Sequence, residues 1–283
     1  MLPPEDWPLR SYSQSLRADG LDWHLQRLGK GPKILCLHGT GASAHSFAGI
    51  ARLLAKDCEL AIPDLPGHGW TSPLADDNCH IDGFASALSA LMSEVDFEPS
   101  VIIGHSAGAA IAVHGVLADH FNPSLVISIN GAFLPFGHVA APVFSTAARW
   151  LSRFRLMAWI TAAHGLFERP VRNLLSETGS TPTPLMIQCY QALLRNPQHI
   201  TGTLQMMAGW QLERLKQELP GIHTPLHLIA CTNDHTVPPW QSQRLAELVY
   251  RSELHEIPDL GHLGHEEQPE RFAALIRRIL AMR

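Results

Sequence analysis

The feature that most constrains this chain is a regular alternation of short apolar runs with longer stretches of helical period. The runs "KILCLHG" (33–39), "CELAIPD" (58–64), "VIIGHS" (101–106), "LVISING" (125–131), "LHLIACTND" (226–234) and "LHEIPDLG" (254–261) read as buried strands. Between and after them, "AGIARLLAK", "FASALSALMSEV", "AGAAIAVHGVLADH", "QSQRLAELV" and "PERFAALIRRILAMR" repeat their apolar residues about every 3.6 positions. Such alternation predicts an α/β fold, a mostly parallel central sheet with helices on both faces. Ahead of it, "SLRADGLDWHLQRLG" carries Asp19-Gly20 between two extended runs, which is hairpin chemistry. The alternation breaks once, over 132–223, where helical, aromatic and Met-rich sequence interrupted by prolines reads as a helical cap inserted into a core of 1–131 and 224–283.

Composition excludes some classes of function. A formal net charge of -5 leaves no dense basic face for phosphates, so no nucleic-acid partner is expected. Five widely spaced cysteines without a C-x-x-C pair fit reduced thiols, and no signal peptide or long apolar run is visible, so a cytoplasmic protein is expected.

"GHSAG" (104–108) closes one apolar run and opens a helical stretch, the setting of a nucleophile elbow. Flanking glycines let strand and helix approach while Ser106 takes a strained backbone. A serine needs a base and an orienting acid, each on a loop at the carboxyl end of a strand, in the order Ser, acid, His. Asp234 follows "LHLIAC" and His262 follows "LHEIP", in that order. Asp259 competes for the acid role, but three residues from His262 in one tight loop it is badly placed. The Gly-rich "LHGTGAS" (37–43) after the first parallel run is the source expected for an oxyanion hole, formed by the backbone N–H groups of Thr40 and Ala107. "GTGAS" fits no phosphate-loop spacing.

"HGTGAS", "DLPGHGWTSP", "GHSAG", "NDHTVPP" and "GHLGHEEQPERF" occur in the order and spacing of the α/β-hydrolase superfamily, which the chain resembles from about Leu16 onward. Within it, "DWPLRSYSQSLRADGLDWHLQRLG", "LCLHGTGASAHSF" and "DLPGHGWTS" are similar to the BchO family. These are α/β-hydrolases of photosynthetic bacteria described as magnesium-chelatase accessory proteins in bacteriochlorophyll synthesis. The resemblance implies a Ser106-Asp234-His262 triad under a helical cap, with Glu267 and Pro269 fixing the loop and starting the last helix. It supplies no defined substrate. A hydrophobic ester fits best, with carbon-carbon bond hydrolysis and a non-catalytic role, in tetrapyrrole binding or as a chelatase partner, as alternatives.

Among the aromatic residues of the insertion, Phe133, Phe136 and Trp210 are the first candidates for an apolar substrate pocket. Arg149, Arg153 and Arg155 among large apolar residues suit either an ordinary helix with a solvated face or peripheral contact with a membrane or partner. The pair His262 and His265, followed by Glu266 and Glu267, has a metal-like spacing. With His262 engaged by Ser106 and Asp234, no metal site is expected there; His265 is expected beside the site or at the surface. No cofactor is expected, and His38, His68, His105 and His235 are read as scaffold.

Overall fold

The computed structural model describes residues 2–134 and 167–282. Phe136 and the three arginines at 149, 153 and 155 lie outside them.

Eight strands form one sheet in the order β1-β2-β4-β3-β5-β6-β7-β8. The hairpin of β1 (Ser13–Ala18) and β2 (Leu21–Gly29) turns at Asp19-Gly20, both residues at positive φ, and β2 pairs antiparallel with β4 (Glu59–Pro63). From there β3 (Lys33–Leu37), β5 (Val101–His105), β6 (Leu125–Ile129), β7 (Leu226–Cys231) and β8 (Ser252–Ile257) run parallel. The expected runs and hairpin are therefore all present. Every residue of β5 and β6 is buried, as continuous apolar strands covered on both faces must be; the edge strands β1 and β8 keep polar, partly exposed residues.

Helices α1 (Ala48–Leu54) and α10 (Pro269–Ala281) cover one face, joining Ile34, Ile103, Ile127 and Ile229 in one apolar layer. In α10 the residues Phe272, Ala273, Ile276 and Ile279 make the buried stripe, and Pro269 starts the helix where its missing N–H costs nothing. On the other face α2 (Ile81–Glu94), α3 (Ala107–Leu117) and α8 (Trp240–Leu248) pack over Leu35, Ile102, Val126 and Leu228. Helix α3 is apolar except for His114 and buried from Ala107 to Gly115, consistent with its central place.

Between β6 and β7 the described residues form α4 (Glu168–Ser176), α5 (Pro184–Leu194), α6 (Pro197–Gly209) and α7 (Glu213–Glu218). Pro184 and Pro197 sit in the first turns of α5 and α6, with Thr183 and Asn196 as N-caps. Helix α6 docks closely: a Cβ on Gly202 would lie 2.1 Å from the Gly67 carbonyl oxygen. All five cysteines are free and buried. No helix among the described residues is long and apolar enough to cross a membrane.

The sheet order reverses at β3, whose successor β4 lies on one side while β5 lies on the other. Such a switch point opens a crevice at the carboxyl ends of the strands, bordered here by the loops after β3 and β5.

Candidate active site

Ser106 occupies that point. It is the N-cap of α3 with φ 53° and ψ −119°, a sparsely populated region for a residue with a side chain. Neighbouring backbone holds the turn: the Ser106 N–H donates to the Ile129 carbonyl at 3.0 Å, and the Ser106 carbonyl accepts from Ala109 and Ala132 at 3.2 and 3.1 Å. The flanking glycines are needed for packing. A Cβ on Gly104 would meet the Ala109 Cα at 2.4 Å, and one on Gly108 would meet the Leu37 carbonyl oxygen at 2.2 Å. Both neighbours are backbone and cannot swing aside. Gly108→Ala is accordingly expected to destabilise the fold by at least about 2 kcal/mol, read as a lowered urea midpoint with unchanged slope.

The loop after β3 closes against the serine, since a Cβ on Gly39 would stand 2.9 Å from the Ser106 Cβ. Thr40 follows, half-buried, its hydroxyl directed to the Met206 sulfur of α6 at 3.5 Å. Ala107 is the first residue of α3, where a backbone N–H has no partner within the helix. His38 holds this loop: its Nε2 accepts the Leu65 N–H at 2.9 Å, so its proton sits on Nδ1, which donates to the Gly39 carbonyl at 2.8 Å. Burial, with the His68 ring beside it, pushes the His38 pKa down to about 3, so the ring works as a neutral strut.

Asp234 and His262 leave adjacent strands. The His262 Nδ1 lies 2.7 Å from the Asp234 Oδ2, both side chains buried. The other carboxylate oxygen accepts the backbone N–H groups of Thr236 and Val237 at 2.8 Å each, so the acid is fixed before it touches the histidine. Asp259 sits at φ 64° in the tight turn between β8 and His262.

The His262 loop is held by His105, read in the sequence as scaffold, and by several residues that the sequence did not single out. Asn130, at the end of β6, donates its side-chain amide to the His262 carbonyl at 3.0 Å and accepts the Cys231 N–H at 2.8 Å. His105 Nε2 also reaches the His262 carbonyl, at 2.9 Å. The Thr178 carbonyl accepts from both His235 and His262 N–H groups, and the Ser180 hydroxyl accepts from the Leu263 N–H. Gly179, at φ 83°, lets this clamp pass close to Asn233 and Gly261. The turn chemistry of "ETGS" was visible in the sequence; its docking place, more than fifty residues away along the chain, was not.

The stretch after His262 forms a one-turn helix, α9 (Gly264–Glu267), where the sequence suggested a loop. His265 is fully buried rather than at the surface. Its Nε2 pairs with the Ser46 hydroxyl at 2.7 Å and its ring lies 4.2 Å from that of His105. His262 and His265 thus face different partners. Burial, with the His262 ring close by, holds the His265 pKa down to about 3. Glu267 accepts the Thr181 N–H at 2.9 Å, acting as a loop anchor.

Glu266, noted in the sequence only for its place in a metal-like spacing, is a buried carboxyl. It accepts the Tyr190 hydroxyl proton at 2.9 Å and lies 3.8 Å from the His45 Nε2. Burial raises its pKa to about 7, against the lowering effect of the Tyr190 and Ser46 hydroxyls. A folded-state pKa raised from 4.5 to about 7 favours the protonated native state; the contribution is complete below pH 4.5 and lost as pH rises through 7. Glu266→Gln, neutral at every pH, is expected to remove this loss. Denaturant unfolding of wild type relative to the variant should weaken from pH 5 to pH 8 by on the order of 3 kcal/mol.

Of the apolar candidates, Phe133 is buried in the core layer that includes Met206 and Leu212, and Trp210 packs half-buried against the same layer. The cavity bordered by His45, Ser46, Met186 and Glu266 has none of Ser106, Asp234 or His262 in its wall.

The sequence profile described as the alpha/beta hydrolase family matches residues 34–275. The chain belongs to that family. This α/β-hydrolase is 36% identical over 275 residues to the magnesium-chelatase 30 kDa subunit of Rhodobacter capsulatus, covering 96% of each chain. Its fold is also that of a thermophilic esterase from Thermogutta terrifontis, with TM-score 0.74 and 20% identity over 95% of this chain and 98% of that one. The meta-cleavage product hydrolase CumD of Pseudomonas fluorescens IP01 superposes with TM-score 0.77 and 20% identity, over 95% and 97%. Likeness at that identity establishes the α/β-hydrolase fold alone.

Proposed function

We propose that this α/β-hydrolase is a cytoplasmic serine hydrolase that needs no cofactor, acts on a hydrophobic ester, and serves tetrapyrrole synthesis alongside magnesium chelatase. In this reading Ser106 Oγ attacks the ester carbonyl carbon while His262 Nε2 takes its proton. Asp234 keeps the imidazole proton on Nδ1, and the Thr40 and Ala107 amides receive the oxyanion. His262 then returns the proton to the departing alkoxide; water, activated by the same ring, cleaves the acyl-enzyme. Residues 132–223 act as the cap, with Phe133 and Trp210 on the pocket side and Phe136 joining them.

The observation that carries this reading is the 2.7 Å bond between His262 and an already anchored Asp234, together with the strained Ser106 at the switch point. Backbone strain of this kind clusters at functional sites, where it holds a side chain in a reactive position. The test is labelling by a fluorophosphonate, with the adduct mapped by mass spectrometry to the peptide that holds Ser106. A folded wild type that neither labels nor hydrolyses any of a panel of aryl and alkyl esters would end the proposal. Turnover of a vinylogous diketone with no ester turnover would move it to carbon-carbon bond hydrolysis.

A second reading, that the chain acts as a chelatase partner or tetrapyrrole binder without catalysis, is favoured by the likeness to the magnesium-chelatase 30 kDa subunit of Rhodobacter capsulatus. Full complementation of a deletion strain by Ser106→Ala would select it. Metabolites accumulating in that strain would name the substrate of the first reading.

A further inference from the structure

At the amino-terminal ends of β7 and β8, away from Asp234 and His262 at their exits, three side chains converge on one face of the sheet. His227 is the register partner of Glu253, and His255 pairs with Ile229 two positions further on. Side chains at such positions project from the same side of a pleated sheet. The His227 Nδ1 and His255 Nε2 stand 2.9 Å apart, their ring planes within 8° of parallel. Glu253 presents one carboxylate oxygen 3.9 Å from that His227 nitrogen and the other 3.6 Å from that of His255. One donor atom from each residue can be chosen so that all three lie within 4.8 Å of one another.

We propose that His227, Glu253 and His255 bind one divalent transition-metal ion of the zinc class, which clamps the edge strand β8 to β7. Two imidazole nitrogens and a carboxylate are the ligand chemistry of zinc, cobalt(II) and nickel(II), and a poor match for magnesium or calcium, which prefer all-oxygen shells. Tetrahedral bonds of 2.0–2.1 Å set neighbouring donors roughly 3.3 Å apart. The two nitrogens therefore open by about 0.4 Å from their present hydrogen bond, and Glu253, whose two oxygens now face one nitrogen each, turns to bring a single oxygen toward both. Water takes the fourth position.

Proton accounting permits the exchange. The hydrogen bond between the rings needs one proton on a facing nitrogen, and metal entry transfers it to the far nitrogen of the same ring, leaving both imidazoles neutral. Glu253, about half exposed, supplies the negative charge that offsets the nearby Arg278, whose field reaches His255. Neither "LHLIAC" nor "SELHEI" reads as a metal motif alone, because only strand register joins them.

The experiment is calorimetric titration of chelator-treated full-length protein with Zn2+, repeated with Co2+ so that absorption reports tetrahedral coordination. Wild type should bind one equivalent saturably and gain thermal stability in parallel. His255→Gln should lose this binding, and Glu253→Gln should weaken it by more than the roughly 10–100-fold that follows loss of an outer-shell partner. Glu253 is exposed enough that its replacement leaves the fold intact, so a misfolded His255→Gln does not spoil the comparison. With 17 histidines in the chain, binding elsewhere appears equally in wild type and variants and cancels. Absence of saturable binding, or Glu253→Gln binding with wild-type affinity, would overturn the proposal.

Discussion

Ser106→Ala is expected to abolish fluorophosphonate labelling and to lower turnover of an activated ester by about 10⁴-fold or more, with thermal stability kept. Alanine preserves the backbone at the N-cap of α3, where the Ser106 main-chain bonds to Ile129, Ala109 and Ala132 involve no hydroxyl. The loss is therefore chemical. Asp234→Asn gives a sharper test of roles. An asparagine can still accept the Thr236 and Val237 amides through Oδ1, but its Nδ2 then meets the His262 Nδ1 where Oδ2 now stands. Two donors cannot share that contact, so the proton moves to Nε2 and the ring can no longer serve as base; a drop of about 10⁴ in kcat is expected. Labelling should fall with His262→Ala as well. His265→Gln, which keeps a polar group toward Ser46, should leave most of the labelling per folded molecule. Equal losses in His262→Ala and His265→Gln at matched stability would break the assignment of His262 as base.

Asp64→Ala is expected to be among the most damaging substitutions for stability, costing about 3–5 kcal/mol in denaturant unfolding. The carboxylate is fully buried and accepts from the His24 Nδ1 at 2.7 Å, the Ala44 N–H at 2.7 Å and the Trp70 N–H at 3.0 Å. It ties the hairpin strand β2 to the loops after β3 and β4. Truncation leaves two amides and an imidazole unsatisfied without water to replace the lost partner. Burial works to raise the Asp64 pKa, yet the His24 ring, by charge and hydrogen bond, carries it down to about 2. A depressed carboxyl contributes stability above its unfolded value of 3.8 that disappears as pH falls through 2. Wild type should therefore lose stability in acid more steeply than Asp64→Asn. Parallel acid limbs would show that the His24 contact contributes little.

Much of this was legible in the sequence for a physical reason. A parallel strand buried on both faces must be apolar throughout, so β5, β6 and β7 announced themselves, and the residues just past their ends inherited a position at one edge of the sheet. Ser106, Asp234 and His262 were proposed as a triad on that ground, and the bond between His262 and Asp234 supports the reading. The contributions of Asn130, Thr178, Ser180 and Glu266 were not legible, because each depends on a contact with a residue far along the chain, or on burial that local pattern does not encode. For His265 the sequence left two places open, beside the site or at the surface, because the pattern of "GHLGHEE" does not reveal that α9 turns its ring inward against His105.

The strand that supplies no residue of the proposed triad governs the spacing of those that do. Between the serine strand β5 and the acid strand β7 lies β6, and adjacent strands stand about 4.8 Å apart. It thus acts as a ruler two strand-spacings wide, and Asn130 at its tip fastens the histidine loop to the far mark. An insertion or bulge in β6 would touch none of Ser106, Asp234 or His262, yet it would shift the reference against which all three are aligned.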